Sequence, residues 1–349
     1  MNIEKQLKKD GIITTEKVDT ETVLNITNSI SQKIVSTFPS FNLNPDEIFS
    51  KLFTLNMYKA TMPEGMQEAS YCYKNSSIYF NSHISNEDLE EFAIHECLHF
   101  LQEIKDDNNH LKRMGLAIYS KSKSIGTGLN EACVQYITSK IIGIKPDFEK
   151  YYNISLYTPS PSYYPLECSL LNELIFFIGE DKLFQSTYFS TDDFKNEIIN
   201  RTSESNYKTI TNGFDKILKL EEKIIVLNNK NSSKIQSKKE KLRESIKSTY
   251  IKLQNLIIKD FFDFDFKQIN NLEELETYRR RLTKFDKYIG HVENDSFFNN
   301  YQTEMMNKLE HKSNILENGG IETAPVLKTF SIINIFSKIK QLLHKKAEV

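Results

Sequence analysis

Two histidines four residues apart, with a glutamate directly after the first, are the residues of this chain whose types and spacing can do chemistry. They are His95, Glu96 and His99, within Ile94-His95-Glu96-Cys97-Leu98-His99-Phe100. On an α-helix, positions i and i+4 share a face, so both imidazoles can offer a nitrogen to one metal ion while Glu96 reaches a water on that ion. The chemistry implied is hydrolysis, with Zn2+ as Lewis acid and Glu96 as general base. With 7 His in 349 residues, the pattern arises by accident about once in a hundred such chains, so its surroundings must carry the case. The plainer reading makes the two histidines ordinary helix-surface residues and Glu96 a solvated neighbour.

A catalytic zinc needs a third protein ligand and an open position for water. An extension to HExxHxxGxxH would place Gly and His where Gln102 and Lys105 stand, which excludes that ligand set. Downstream, Gly128-Leu129-Asn130-Glu131-Ala132-Cys133-Val134-Gln135-Tyr136 opens an apolar-periodic segment that continues through Ile137, Ile141 and Ile142 and stops at Gly143. Glu131 is the expected third ligand, with His83, His110 and Glu167 as competitors. Near a helix start a glutamate is also favoured simply by the helix dipole.

These two segments resemble the gluzincin metallopeptidases, of which the thermolysin-like enzymes are the best-known members. His95, Glu96 and His99 match the HExxH motif, and Asn130, Glu131 and Ala132 match the Asn-Glu-Ala opening of the second, ligand-bearing helix. The resemblance implies a zincin-like α+β domain with a small mixed or antiparallel sheet. It also implies metal ligands His95, His99 and Glu131, with Asn130 and Gln135 supporting them from behind. Gln135 stands where thermolysin-like enzymes carry an aspartate that orients a zinc-bound histidine; an amide oxygen can accept that hydrogen bond more weakly. The spacing from His99 to Glu131 exceeds that of thermolysin-like enzymes, so the likeness is to the broad class, and it covers roughly residues 70 to 145.

The elements that must position these residues are readable from breakers and periodicity. Thr20 to Phe38 reads as a helix ended by Pro39, Pro45 starts another through about Leu55, and Thr61 to Gly65 is a turn, with Met62 to Gly65 expected to overhang the cleft. Ser70 to Ser82, aromatic and β-branched around Lys74-Asn75-Ser76, reads as a β-hairpin. Ser85 and Asp88 form a variant capping box before a helix whose stripe of Leu89, Phe92, Ala93, Cys97, Phe100, Leu101 and Ile104 runs until Asp106. The motif is therefore expected mid-helix. A Tyr/Pro/Ser-rich loop from Tyr151 to Pro165 is the expected substrate contact, followed by an apolar helix from about Leu166 to Ile178. Oxyanion stabilisation is expected from Tyr136, Tyr163 or Tyr164, each of which can equally be a packing aromatic.

Composition narrows the partners. With 45 basic against 47 acidic residues and a net charge of −2, there is no global field for nucleic acid, and a peptide or protein substrate is expected instead. Cys72, Cys97, Cys133 and Cys168 show no CxxC spacing, and the first residues lack an apolar signal region, so a cytoplasmic protein with free thiols is expected.

From about Asn206 the chain reads as an antiparallel helical hairpin of coiled-coil character, with a further helix from about Leu272 to Ile289. After Pro325, apolar residues alternate with Lys328, Lys338, Lys340, Lys345 and Lys346, with no acid before Glu348. Such a basic amphipathic helix over 326–346 can lie peripherally on an inner membrane surface, bind a protein partner or dock on its own domain. The expected organisation is a metallopeptidase domain over 1–205, a helical region over 206–320 and the basic helix over 321–349. The competing reading is a non-catalytic zincin scaffold that uses the helical arm and tail for interaction, and a zinc hydrolase of non-peptide amides is a third.

Overall fold

The computed structural model describes residues 3–63, 68–120, 123–228, 232–293 and 295–318. Over these residues the chain is a mixed α+β fold. The first layer comprises α1 (Ile3–Lys9), β1 (Ile13–Lys17), α2 (Thr20–Thr37), α3 (Pro45–Leu52), β2 (Asn56–Thr61), β3 (Ala69–Cys72), β4 (Ser77–Asn81) and α4 (Leu89–Leu101). Asp19 caps α2 by accepting from Thr22 N at 2.9 Å, and Asn44 caps α3 ahead of Pro45, as the preference for Asx caps and first-turn proline predicts. The sheet runs in the order β1-β2-β4-β3, with β2 and β4 parallel and the other pairs antiparallel. The expected hairpin is present, with Tyr71 opposite Ile78, and it leaves β3 as an edge strand beside α4.

The helix of the HExxH motif is shorter than its apolar stripe suggested. Every residue from Ala93 to Leu101 is buried, the signature of an interior helix rather than a surface one. It ends at Leu101, and Ile104 lies instead in β5 (Glu103–Lys105), the first strand of a meander with β6 (Leu111–Met114), β7 (Ala117–Ser120) and β8 (Lys123–Ile125). Ser85 and Asp88 form the expected box one turn early, with Asp88 N donating to Ser85 Oγ at 3.3 Å, so it leads into α4 rather than capping its first residues. Their side chains bond each other at 2.7 Å in the preceding turn, and the Asp88 cap position makes no side-chain bond to α4. The meander accounts for the long interval between His99 and Glu131.

The helix of the Asn-Glu-Ala segment, α5 (Thr127–Ile142), stops at Gly143 with φ 83°. It is followed by β9 (Asp147–Tyr151), β10 (Ile154–Thr158), α6 (Pro165–Ile178), α7 (Glu180–Tyr188) and α8 (Asp193–Arg201). The segment from Tyr151 to Pro165, expected as a loop, thus contains a strand, because Ile154, Leu156 and Thr158 alternate inward with period two. The helical region consists of α9 (Glu204–Leu227), α10 (Ser233–Lys267), α11 (Leu272–Phe285), the two-residue β11 (His291–Val292) paired to β10, and α12 (Phe297–Glu317).

Two apolar clusters organise the molecule, and α5 belongs to both. Val134, Ile137 and Ile141 face α2, α3, α4 and the sheet. Leu129, Ala132, Cys133 and Tyr136 face α6, α9 and α10. The second cluster runs continuously from Leu116 to Leu309, so packing does not break at the expected boundary near residue 205. Among the described residues no helix is long and apolar enough to cross a membrane. The basic segment expected as a helix over 321–349 lies outside the described residues, as do residues 64 and 65 of the expected overhang.

Candidate metal centre

Helices α4 and α5 pack against each other and bring His95, His99 and Glu131 together. His95 Nε2 lies 3.0 Å from His99 Nε2 and 3.2 Å from Glu131 Oε2, and His99 Nε2 lies 3.4 Å from the same oxygen. Three donors on a tetrahedral zinc, each at about 2.0 Å, would stand roughly 3.3 Å apart. The triangle therefore has the size that a zinc ion requires, and its two imidazoles with one carboxylate are a recognised zinc donor set. His83, His110 and Glu167 do not join the group: His110 is exposed and 3.4 Å from Asp106, and Glu167 is buried beside Glu221.

The supporting atoms fix how the donors point. His95 Nδ1 lies 3.0 Å from Gln135 Oε1, an acceptor, so Nδ1 carries the proton and Nε2 keeps its lone pair toward the other donors. Gln135 Nε2 donates in turn to Ser160 Oγ at 3.0 Å, and Ser160 Oγ donates to Tyr163 O at 2.7 Å. The loop after β10 thus braces His95 from behind. Asn130 Oδ1 accepts from Leu116 N at 2.9 Å while its amide donates to Gln102 Oε1 at 3.3 Å, tying α5 to the end of α4. Gly115, at φ 56°, admits this contact, since a Cβ there would come within 2.0 Å of Asn130 Oδ1.

The charges are mutually stabilising. Burial alone would raise the Glu131 carboxyl, but the charges and hydrogen bonds of His99 and His95 overcome it and hold Glu131 well below the usual carboxylate range. Burial would lower His99, yet Glu131 raises it above its ordinary value. His99 Nδ1 is buried without a hydrogen-bond partner among the described residues.

Glu96 sits one position along α4, 6% exposed, and its Oε2 accepts from Tyr71 N on edge strand β3 at 2.7 Å. The strand that flanks the motif thereby holds its carboxylate. A cleft opens on both sides of the triad, and Ala69, His95, Glu96 and Tyr164 border both halves. Tyr164 takes a left-handed backbone conformation, φ 50° and ψ 44°, which stacks its ring 6.1 Å from that of His95. Tyr163 lines one half near Glu68, and burial raises its hydroxyl to about 12. Tyr136 lines neither half; it packs in the second cluster with its hydroxyl toward Glu180.

Sequence reasoning did not reach several residues of the centre. Tyr119 of β7 lines the half that holds Glu131, and burial, followed by the Glu131 charge, pushes its hydroxyl up to about 12. Leu218 and Glu222 of α9 form a wall of the same half. Asp215 of α9 caps the start of α5, accepting from Gly126 N at 3.0 Å and Gly128 N at 2.8 Å. Only one signal pointed to this contact. Gly128, in the first turn of a helix, marks a close approach, and a Cβ there would meet the Phe214 backbone at 2.5 Å. Comparison with protein-family models, curated proteins and solved structures finds no match for this chain.

Proposed function

We propose that this chain is a zinc-dependent metallopeptidase of zincin-like fold, in which His95, His99 and Glu131 hold the metal and Glu96 is the general base. The observation that carries the reading is the triangle of three donor atoms 3.0 to 3.4 Å apart beside a glutamate anchored to an edge strand. Three protein donors, rather than four, converge among the described residues, which suits a site that keeps a position for water.

A zinc ion at these donors supplies Lewis acidity toward a water and toward the carbonyl oxygen of a substrate. Glu96 takes the proton of the attacking water on its carboxylate and returns it to the nitrogen of the leaving amine. Its bond from Tyr71 N fixes one oxygen of the carboxylate at the mouth of the cleft. Strand β3 lies at the edge of its sheet, so an extended peptide can lie along it as an added strand beside the Tyr71 N–H that Glu96 holds. Tyr119 keeps its proton at neutral pH, and its hydroxyl is a donor on the side of the cleft that holds Glu131. Tyr164, bordering both halves, is the second candidate for contact with the developing oxyanion.

The test is Glu96→Gln. The variant should keep its zinc, because Glu96 is not a ligand, and should lose peptide hydrolysis by at least about a hundredfold. Hydrolysis at the wild-type rate would contradict the assigned role.

A further inference from the structure

The cleft lining points to the class of peptide, an inference that rests on the peptidase reading above. On one side of the triad a cavity is walled by Phe92, Ile142 and Ile144, with the carboxylates of Glu68 and Glu91 at its border. On the other side, Leu218 and Met114 form an apolar wall and Glu222 supplies a carboxylate. No lysine or arginine among the described residues lines either half. The neighbouring surface does not share this imbalance, since Glu90, one residue before Glu91, is paired with Lys33 at 2.5 Å. Glu91 enters no such pair among the described residues, whereas Glu222 is exposed and has Lys219 and Lys223 of its own helix nearby.

An apolar wall ending at carboxylates matches a side chain that is itself an aliphatic stem ending in a cation. An acidic side chain would meet like charge at Glu68 and Glu91, and a purely apolar one would leave Glu91 without a counter-charge. We propose that the site takes cationic peptides and that the cavity under Phe92, Ile142 and Ile144 receives a lysine or arginine side chain beside the bond to be cleaved. This complementarity is local to the cleft, since the whole chain is nearly neutral at −2.

The test uses the full chain loaded with zinc and a series of fluorescent peptides that differ at one position, carrying Lys, Arg, Leu or Glu. Binding is read by anisotropy on analogues whose scissile amide is reduced, and cleavage by mass spectrometry on the parent peptides. Lys and Arg peptides should bind about tenfold tighter than the Leu peptide, as two partly shielded ion pairs supply, and the Glu peptide should bind weakest. Raising the salt concentration should narrow the gap, and Glu91→Lys should reverse the order of the Lys and Glu peptides. Equal binding of Lys, Leu and Glu peptides would overturn the proposal. If the charge order holds but no peptide is cleaved, the cation-binding cleft stands and the hydrolysis reading falls. If peptides are cleaved without regard to charge, hydrolysis stands and the charge reading falls.

Discussion

At the scale of single residues, the proposed metal site rests on Gln135 as well as on the three proposed ligands. A neutral histidine holds a metal through one nitrogen only if the other carries the proton, and the Gln135 oxygen 3.0 Å from His95 Nδ1 enforces that arrangement. Gln135→Leu removes the acceptor at similar volume. It should weaken zinc affinity by roughly tenfold to a hundredfold, measured by competition with a chromogenic chelator. Unchanged affinity would mean that the bond is incidental. Gln135→Glu restores an acceptor and should recover most of the loss, which a merely structural role for the side chain would not predict.

At the scale of elements, the sequence displayed helix α4, the β3–β4 hairpin and the Asn-Glu-Ala start of α5, because each is local: a period of 3.6, a period of two around a turn, and a glycine stop. The end of α4 was not legible, since Ile104 fits the helical stripe although its backbone pairs with Arg113 across β5 and β6. Tertiary pairing overrode the local pattern. The role of α9 was hidden for a different reason. Asp215 lies far along the chain from Gly126 and Gly128, and nothing local marks an aspartate as the cap of a distant helix. Asp215→Ala leaves two buried N–H groups unpaired at the start of the helix that carries Glu131. It should cost about 1–3 kcal/mol in stability, read by chemical denaturation, and should also lower zinc affinity. Wild-type zinc affinity in a folded Asp215→Ala would show that α9 does not position the ligand.

At the scale of the whole molecule, the helical region borders the candidate site. It caps α5, walls the cleft through Leu218 and Glu222, and shares the second apolar cluster. Its junction with α6 also stores an electrostatic cost. Glu221 of α9 and Glu167 of α6 are buried together; burial pushes Glu221 up to about 7, and burial with the Glu221 charge raises Glu167 further. A carboxyl raised on folding binds more protons in the native state than in the unfolded one, whose value stays near 4.5. The contribution of Glu221 to stability is therefore greatest below about 4.5 and declines as pH rises toward about 7, while the cost of Glu167, raised further, goes on growing above that. Glu221→Gln removes the titration. It should raise the stability of the chain at pH 8 by roughly 1–3 kcal/mol and change it little at pH 5, measured by thermal melts at both values. A gain of equal size at both pH values would contradict this origin.

The central claim is that His95, His99 and Glu131 form one metal centre, and metal stoichiometry tests it most directly. Elemental analysis of the protein purified without added metal, then dialysed against stoichiometric zinc, should find one equivalent in the wild type. Glu131→Ala should hold substantially less, and His99→Ala less again, while both remain folded by circular dichroism. A wild-type chain that takes up no zinc, or a Glu131→Ala variant that holds a full equivalent as tightly as the wild type, would contradict the account.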